Sequence, residues 1–504
     1  MATETVTATN LAHEKADVQY HEEATVSPPP EVHAVGAEAK MTWKTWLVIF
    51  VLSSCFGLSF WPVPTTAAML SGLPAKLGDT TGTTSYWYVP AYTTGNALGF
   101  LLAGANSDLF GRRIFLLFGE VLAALGMLIA ATSRGPEQFT AGLAIAGFGG
   151  GFCQMAMCSI PELMPNKFRH IGIALSDGFV FVIVIIGPVV GRYAIDAGDG
   201  WKFIYYGGFV AQLVSLVFLF LLYHPPKHPR GVPWKEAIGG LDYVGAVLVT
   251  PDGINVIYPT MIDVFYITAT TSRSEQLLLT LPGNLGLVFG AMLLICFGNL
   301  AGHWKWTLVA SWTGMTVFGG LMALVTPYNK SAMIAFTFLE QTFFGWAQYE
   351  SVAFTQLGVH QHDLGMSGGL AGVARYAGGS LAQAIYVSIL ANTQSAKAAR
   401  LVPAAVLQAG GSTNMAEALL AAFPLGTKAL EAVPGVNARI LAAAGTAYQW
   451  AYAHALSITA LSSLAFGGFG LVMCLLCENI DAKMNDQTNV FLENDVHAEK
   501  NEFH

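Results

Sequence analysis

Charge is what this chain has least of. Asp, Glu, Lys and Arg make up 11% of its 504 residues, against roughly 25% in an ordinary soluble domain. That scarcity excludes a nucleic-acid binder, which needs basic clusters, and a disordered regulator, which needs charge and little apolar content. Cysteine is also scarce. The six thiols, at 55, 153, 158, 296, 474 and 477, lie in or beside apolar stretches without zinc-type spacing and read as small hydrophobes. No Walker loop, zincin motif or nucleophile elbow occurs. No enzyme activity, cofactor or ATP coupling is expected. His360-Gln361-His362-Asp363 has no third ligand cluster near it and reads as an exposed loop, so no metal is expected.

What is abundant is apolar. Hydrophobic residues are 54% of the chain and the mean hydropathy is +0.51. One soluble core cannot hold that much, because cores stop growing near ~250–300 residues. The chain reads as an all-α polytopic membrane protein. Its 54 glycines suit close helix packing in lipid.

Segments of ~20 apolar residues fall at about 44–64, 85–105, 114–132, 139–159, 171–192 and 202–223, then at 243–270, 277–299, 305–326, 331–349, 365–391 and 450–477. That is twelve spans in two sets of six. Residues 1–41 read as a disordered cytoplasmic tail without a cleavable signal, so the first span is expected to start insertion itself. Residues 42–223 form the first bundle, 224–242 a Pro-rich cytoplasmic linker, and 243–477 the second bundle. Within the second, 392–449 is expected to be a large extracellular loop of short amphipathic helices. Residues 478–504 read as a solvated cytoplasmic tail. Loops on the side of the termini carry the excess of Lys and Arg, including Arg112, Arg113, Lys167 and Arg169, and this sets the orientation.

The loop after the second span reads Gly104-Ala105-Asn106-Ser107-Asp108-Leu109-Phe110-Gly111-Arg112-Arg113. Gly104 allows a close helix approach. Asp108 can accept from a helix N-terminus or pair with Arg112, and Gly111 suits a tight turn. On this motif, the two-times-six layout and the linker, the chain resembles the major facilitator superfamily. The resemblance implies two six-helix bundles, a central cavity, alternating access, and a conformational latch at Gly104, Asp108, Gly111, Arg112 and Arg113. Gly187-Pro188-Val189-Val190-Gly191 in the fifth span resembles the signature of that superfamily's drug antiporters. Pro161-Glu162-Leu163-Met164-Pro165, Leu241-Asp242-Tyr243 and Gly372-Val373-Ala374-Arg375-Tyr376 resemble its fungal branch of trichothecene efflux pumps and siderophore carriers. That branch usually has fourteen spans; here two are absent around Thr250-Pro251, and the fourth span lacks the Arg common in antiporters.

The resemblance implies a secondary transporter that exports a small hydrophobic metabolite or toxin by proton antiport. The alternatives are a siderophore carrier and a degenerate member that does not transport. A monomer in the cell membrane is expected, or alternatively in the vacuolar membrane. Intramembrane charges are costly and usually functional. Glu340, Arg375, Asp177, Asp263 and Glu120 are therefore the proton-coupling candidates, with Glu340 foremost for its aromatic neighbours. Tyr92, Phe343, Phe344 and Trp346 are candidates for an aromatic substrate cavity. Asn329-Lys330-Ser331 is a formal glycosylation sequon in a very short outside loop.

Overall fold

A computed structural model describes residues 40–226 (except 71 and 80–83), 265–266, 272–359 (except 280), 364–423 and 430–501. The longer helices are α1 Trp43–Phe60, α2 Pro62–Met69, α3 Tyr88–Phe110, α4 Arg112–Ala131, α5 Pro136–Cys153, α6 Ala156–Glu162, α7 Arg169–Ser176, α8 Gly178–Asp196 and α9 Gly200–Leu222 in the first half. In the second they are α10 Arg273–Leu279, α11 Leu281–Ala301, α12 Trp304–Leu321, α13 Lys330–Leu357, α14 Leu364–Gln408, α15 Thr413–Ala422 and α16 Ala438–Leu476. Among the described residues, eight helical segments are long and apolar enough to cross a membrane. Asp263, the linker beyond 226, most of the seventh expected span and the 360–363 cluster lie outside the described residues.

Small residues decide how these helices meet. A Cβ on Gly147 of α5 would lie 2.0 Å from the Tyr92 carbonyl oxygen of α3, and one on Gly126 of α4 would lie 2.2 Å from the Ala146 nitrogen of α5. α5 is thus clamped between α3 and α4 at backbone contact distance, as lipid-embedded helices without a hydrophobic driving force require. The same device joins α11 to α13, where a Cβ on Gly290 would meet the Thr342 carbonyl at 1.9 Å. Large apolar side chains such as Phe203, Phe220, Leu300 and Val210 are exposed on the outside, where hydrocarbon is the solvent.

Two expectations are corrected here. The described part of 392–449 is not made of short helices alone: beside the short α15 it holds the ends of two long ones. α14 continues from the membrane to Gln408, and α16 starts at Ala438. At about 1.5 Å per residue, the 45 residues of α14 far exceed a hydrocarbon core of about 30 Å. Its Ala-rich extension has high helix propensity and a core of its own: Ala398, Val402, Val406, Leu419, Ile440 and Ala444 pack together, with Phe423 stacked on Tyr448 at 4.2 Å. The tail from 478 is not solvated throughout either. Ile480 joins an apolar cluster with Trp304 and Trp312, and Leu492 joins one with Val48, Leu163 and Tyr223. A few buried apolar residues in a polar sequence, Ile480, Phe491 and Leu492, hold it against the protein.

Candidate functional site between the two halves

The two halves meet at the face that carries the termini. α3 ends at Gly111, whose φ of +85° only glycine adopts without strain, and this turn sends α4 back with Arg112 at its start. Asp108, one turn before the bend, reaches across to the other half. Its carboxylate accepts from the backbone N–H groups of Gly365 at 3.0 Å and Met366 at 2.7 Å, at the start of α14. A helix N-terminus presents unpaired N–H groups and positive potential, so an anion there is doubly favoured. Arg112 lies 3.6 Å from Asp108 and pairs with Glu162 at the end of α6; all three side chains are buried. Gly104 lets the halves touch, since a Cβ there would stand 2.7 Å from Gly369 Cα and 2.8 Å from the Gly365 carbonyl. Arg113 does something else. It donates to the Phe220 carbonyl at 2.7 Å and lies over that ring, tying α4 to α9 within the first half.

Deeper along the same interface is a second polar cluster. Asp177 starts α8 and is buried; its Oδ2 accepts from the Tyr349 hydroxyl of α13 at 2.9 Å, while Oδ1 has no hydrogen-bond partner among the described residues. Arg375 of α14 joins this cluster through Gln348, the neighbour of Tyr349 on α13. With its amide oriented to satisfy both groups, Gln348 accepts from both terminal nitrogens of Arg375, at 2.8 and 3.0 Å. Beside Arg375, a cavity of about 20 Å³ lined by Gln154, Gln356, Thr355 and Phe100 remains between the halves. That holds about one water molecule and no substrate, so the interface is shut at this level.

The other expected site residues do not converge there. Glu120 is enclosed within the first half, accepting from Ser215 at 2.7 Å and from Gln212. Glu340 is buried in the second half with the Gln341 amide at 2.7 Å. The four cavity aromatics are scattered. Tyr92 is buried in the first half with its hydroxyl on the Ser59 carbonyl, and Phe344 is buried in the second. Phe343 stacks on Phe318, and Trp346 donates to Glu350. Helix rotation turns Tyr92 and Phe344 into the bundle cores, while Phe343 and Trp346 stay partly exposed. Gly187 and Gly191 form a smooth face that is filled by α2: Cβ atoms there would meet Pro64 at 3.0 Å and the Thr65 carbonyl at 2.8 Å. The Asn329 amide closes its own turn, donating to the Leu324 carbonyl at 2.7 Å and accepting from the Thr326 N–H at 2.8 Å.

Three groups escaped the sequence reading. Glu162 and Arg169 looked like ordinary loop charges, but both are buried, and Arg169 donates to the Gln356 carbonyl at 3.3 Å across the halves. Glu350 lay just past the expected end of the tenth span. α13 runs on to Leu357 and buries it, accepting from Thr307 at 2.5 Å and Trp346 at 3.0 Å. The continuing apolar spacing after Tyr349 was the available signal.

Residues 45–383 match the Major Facilitator Superfamily. The chain belongs to that superfamily. It is similar to the MFS-type transporter prx5 of Penicillium rubens, at 34% identity over 90% of this chain and 94% of the relative. It is also similar to the trichothecene efflux pump TRI12 of Fusarium sporotrichioides, at 20% identity over 83% and 84%. The fold matches that of the proton:xylose symporter XylE with a TM-score of 0.62 at 13% identity, over 88% of this chain and 98% of the other. This superfamily member is therefore a multi-pass membrane transporter of the fungal efflux type and not an enzyme.

Proposed function

We propose that the chain exports a small hydrophobic metabolite or toxin across the cell membrane in exchange for protons, with its termini in the cytoplasm. The observation that carries the proton-coupling part is Asp177. Of the described coupling candidates it is the carboxylate that lies between the halves, bonded across the interface by Tyr349, whose neighbour Gln348 pairs with Arg375. Alternating access works by changing which contacts the halves make with each other. A carboxylate held by the opposite half in one state and freed in the other changes its proton affinity with the state. Glu120 and Glu340, each bonded inside one half, lack that link. Relatives named as efflux pumps support the outward direction.

The Asp108–Arg112–Glu162 cluster then acts as a latch that holds the cytoplasmic ends shut, and the cycle requires it to break and reform. Coupling is tested in proteoliposomes with an imposed pH gradient. Asp177→Asn is expected to abolish uphill accumulation while downhill exchange of labelled substrate persists. Glu340→Gln is expected to keep pH-driven accumulation; if it alone removes it, the coupling carboxylate is Glu340.

A further inference from the structure

The tail after α16 crosses from one half to the other. On the second half, Asp481 accepts from the Trp304 N–H at 3.0 Å at the start of α12, and Ile480 is buried beside that helix. On the first half, the carbonyls of Asn485 and Gln487 accept from the Lys167 and Asn166 N–H groups at 2.8 and 2.9 Å, and Lys167 pairs with Asp486. The Val490 N–H donates to the carbonyl of Glu162 at 3.2 Å, the residue that also holds Arg112. Farther on, the Glu493 N–H donates to the His224 carbonyl at 2.9 Å. Asp495 accepts from the hydroxyls of Thr42 and Thr45 at 2.5 and 3.1 Å, at the start of α1. Partial burial works against ionisation of Asp495, but the Thr42 hydroxyl, the Val496 N–H and the Thr45 hydroxyl together hold its carboxyl below the usual carboxylate range. Asn501 folds the end back, bonding both backbone groups of Phe491 at 2.8 and 2.9 Å.

We propose that residues 478–501 are an intramolecular strap that restrains the opening of the termini face and so sets the rate of the transport cycle. The mechanical reason is length. Between the anchors at Asp481 and Asn485 the chain includes a 3₁₀ turn, Asp481–Lys483. Unwinding from about 2.0 Å per residue to an extension of about 3.4 Å lengthens these three residues by only about 4 Å. A wider separation of the halves detaches one anchor. The strap also bonds the backbone of Glu162, so a docked tail and an intact Arg112–Glu162 pair support each other. The peptide groups that Glu162, Asn166 and Lys167 would otherwise offer to water are satisfied by the strap, which gives it a defined register.

The inference rests on alternating access but on no particular substrate, and its test needs none. Cys158 is buried beneath the contact between halves, with its thiol 3.8 Å from the Leu364 carbonyl and against Gly368. Its alkylation by a membrane-permeant maleimide, read by peptide mass, reports opening of this face. In purified full-length protein, truncation after Met484 and Asp481→Ala are each expected to speed Cys158 alkylation several-fold. A Lys167→Cys, Asp486→Cys disulfide is expected to slow it, with full recovery on adding reductant. The reversible lock guards against misfolding of the truncated chain. Cys158 alkylation unchanged by both the truncation and the lock would overturn the strap, whatever the fate of the efflux reading in transport assays.

Discussion

Asp108 and Arg113 belong to one short motif yet do different work, and their variants should differ accordingly. Asp108→Asn removes the negative charge facing the N-terminus of α14. Charge at a helix terminus and a charged hydrogen bond together contribute about 1–2 kcal/mol, so the ratio of closed to open termini face should fall roughly 5–30-fold. Cys158 alkylation should rise by that factor while surface expression stays near normal. Among the described residues Arg113 bonds to α9 within the first half, so Arg113→Ala should leave that ratio unchanged; a measured loss of stability without a shift in Cys158 alkylation checks it. Asp108 and Arg112 were legible in the sequence, because the motif spacing names them. Their partner Glu162 was not: 50 residues separate it from Arg112 in the chain, and only the packing of α6 brings them together.

At the scale of the helix, backbone contact sets the tolerance to change. Gly147→Val would place its Cβ and methyl groups into the Tyr92 carbonyl. Neither backbone can yield without separating α3 from α5, so the cost should reach about 3 kcal/mol or more. Loss of the folded, detergent-soluble species on size-exclusion chromatography is the expected result. Gly104→Val acts on a different contact, since Gly104 faces Gly369 of the other half. Each half should still fold, and the termini face should stay open, with fast Cys158 alkylation and slow transport. Apolar run length located most of these helices, because a span must be long and continuous to satisfy its backbone in lipid. Run length alone could not say that α13 and α14 continue past the expected ends. Amphipathic and Ala-rich extensions drop below span hydropathy while remaining helical.

For the whole molecule, both ends of the described chain lie on one face, because Thr42 and Asp495 are hydrogen-bonded. A reporter fused after His504 should therefore register on the same side as one fused before the first span, and on the cytoplasmic side if the orientation read from Lys and Arg is right. Three sets of contacts join the halves or their ends on this face: the Asp108 cap, the Gly104–Gly369 approach, and the docked tail. Each is small beside the energy of a folded bundle, which is what a two-state cycle needs, since contacts worth many kcal/mol would trap one state.

The sequence by itself determined the solvent, the helical class and the family. Lipid demands long apolar runs, and the 104–113 motif is specific enough to read without coordinates. The tertiary structure alone decided which charges meet across the halves, that Tyr92 and Phe344 are bundle core, and that an acidic tail is docked rather than free. Those facts depend on helix rotation and on contacts between residues far apart in the chain, and apolar periodicity carries no information about either.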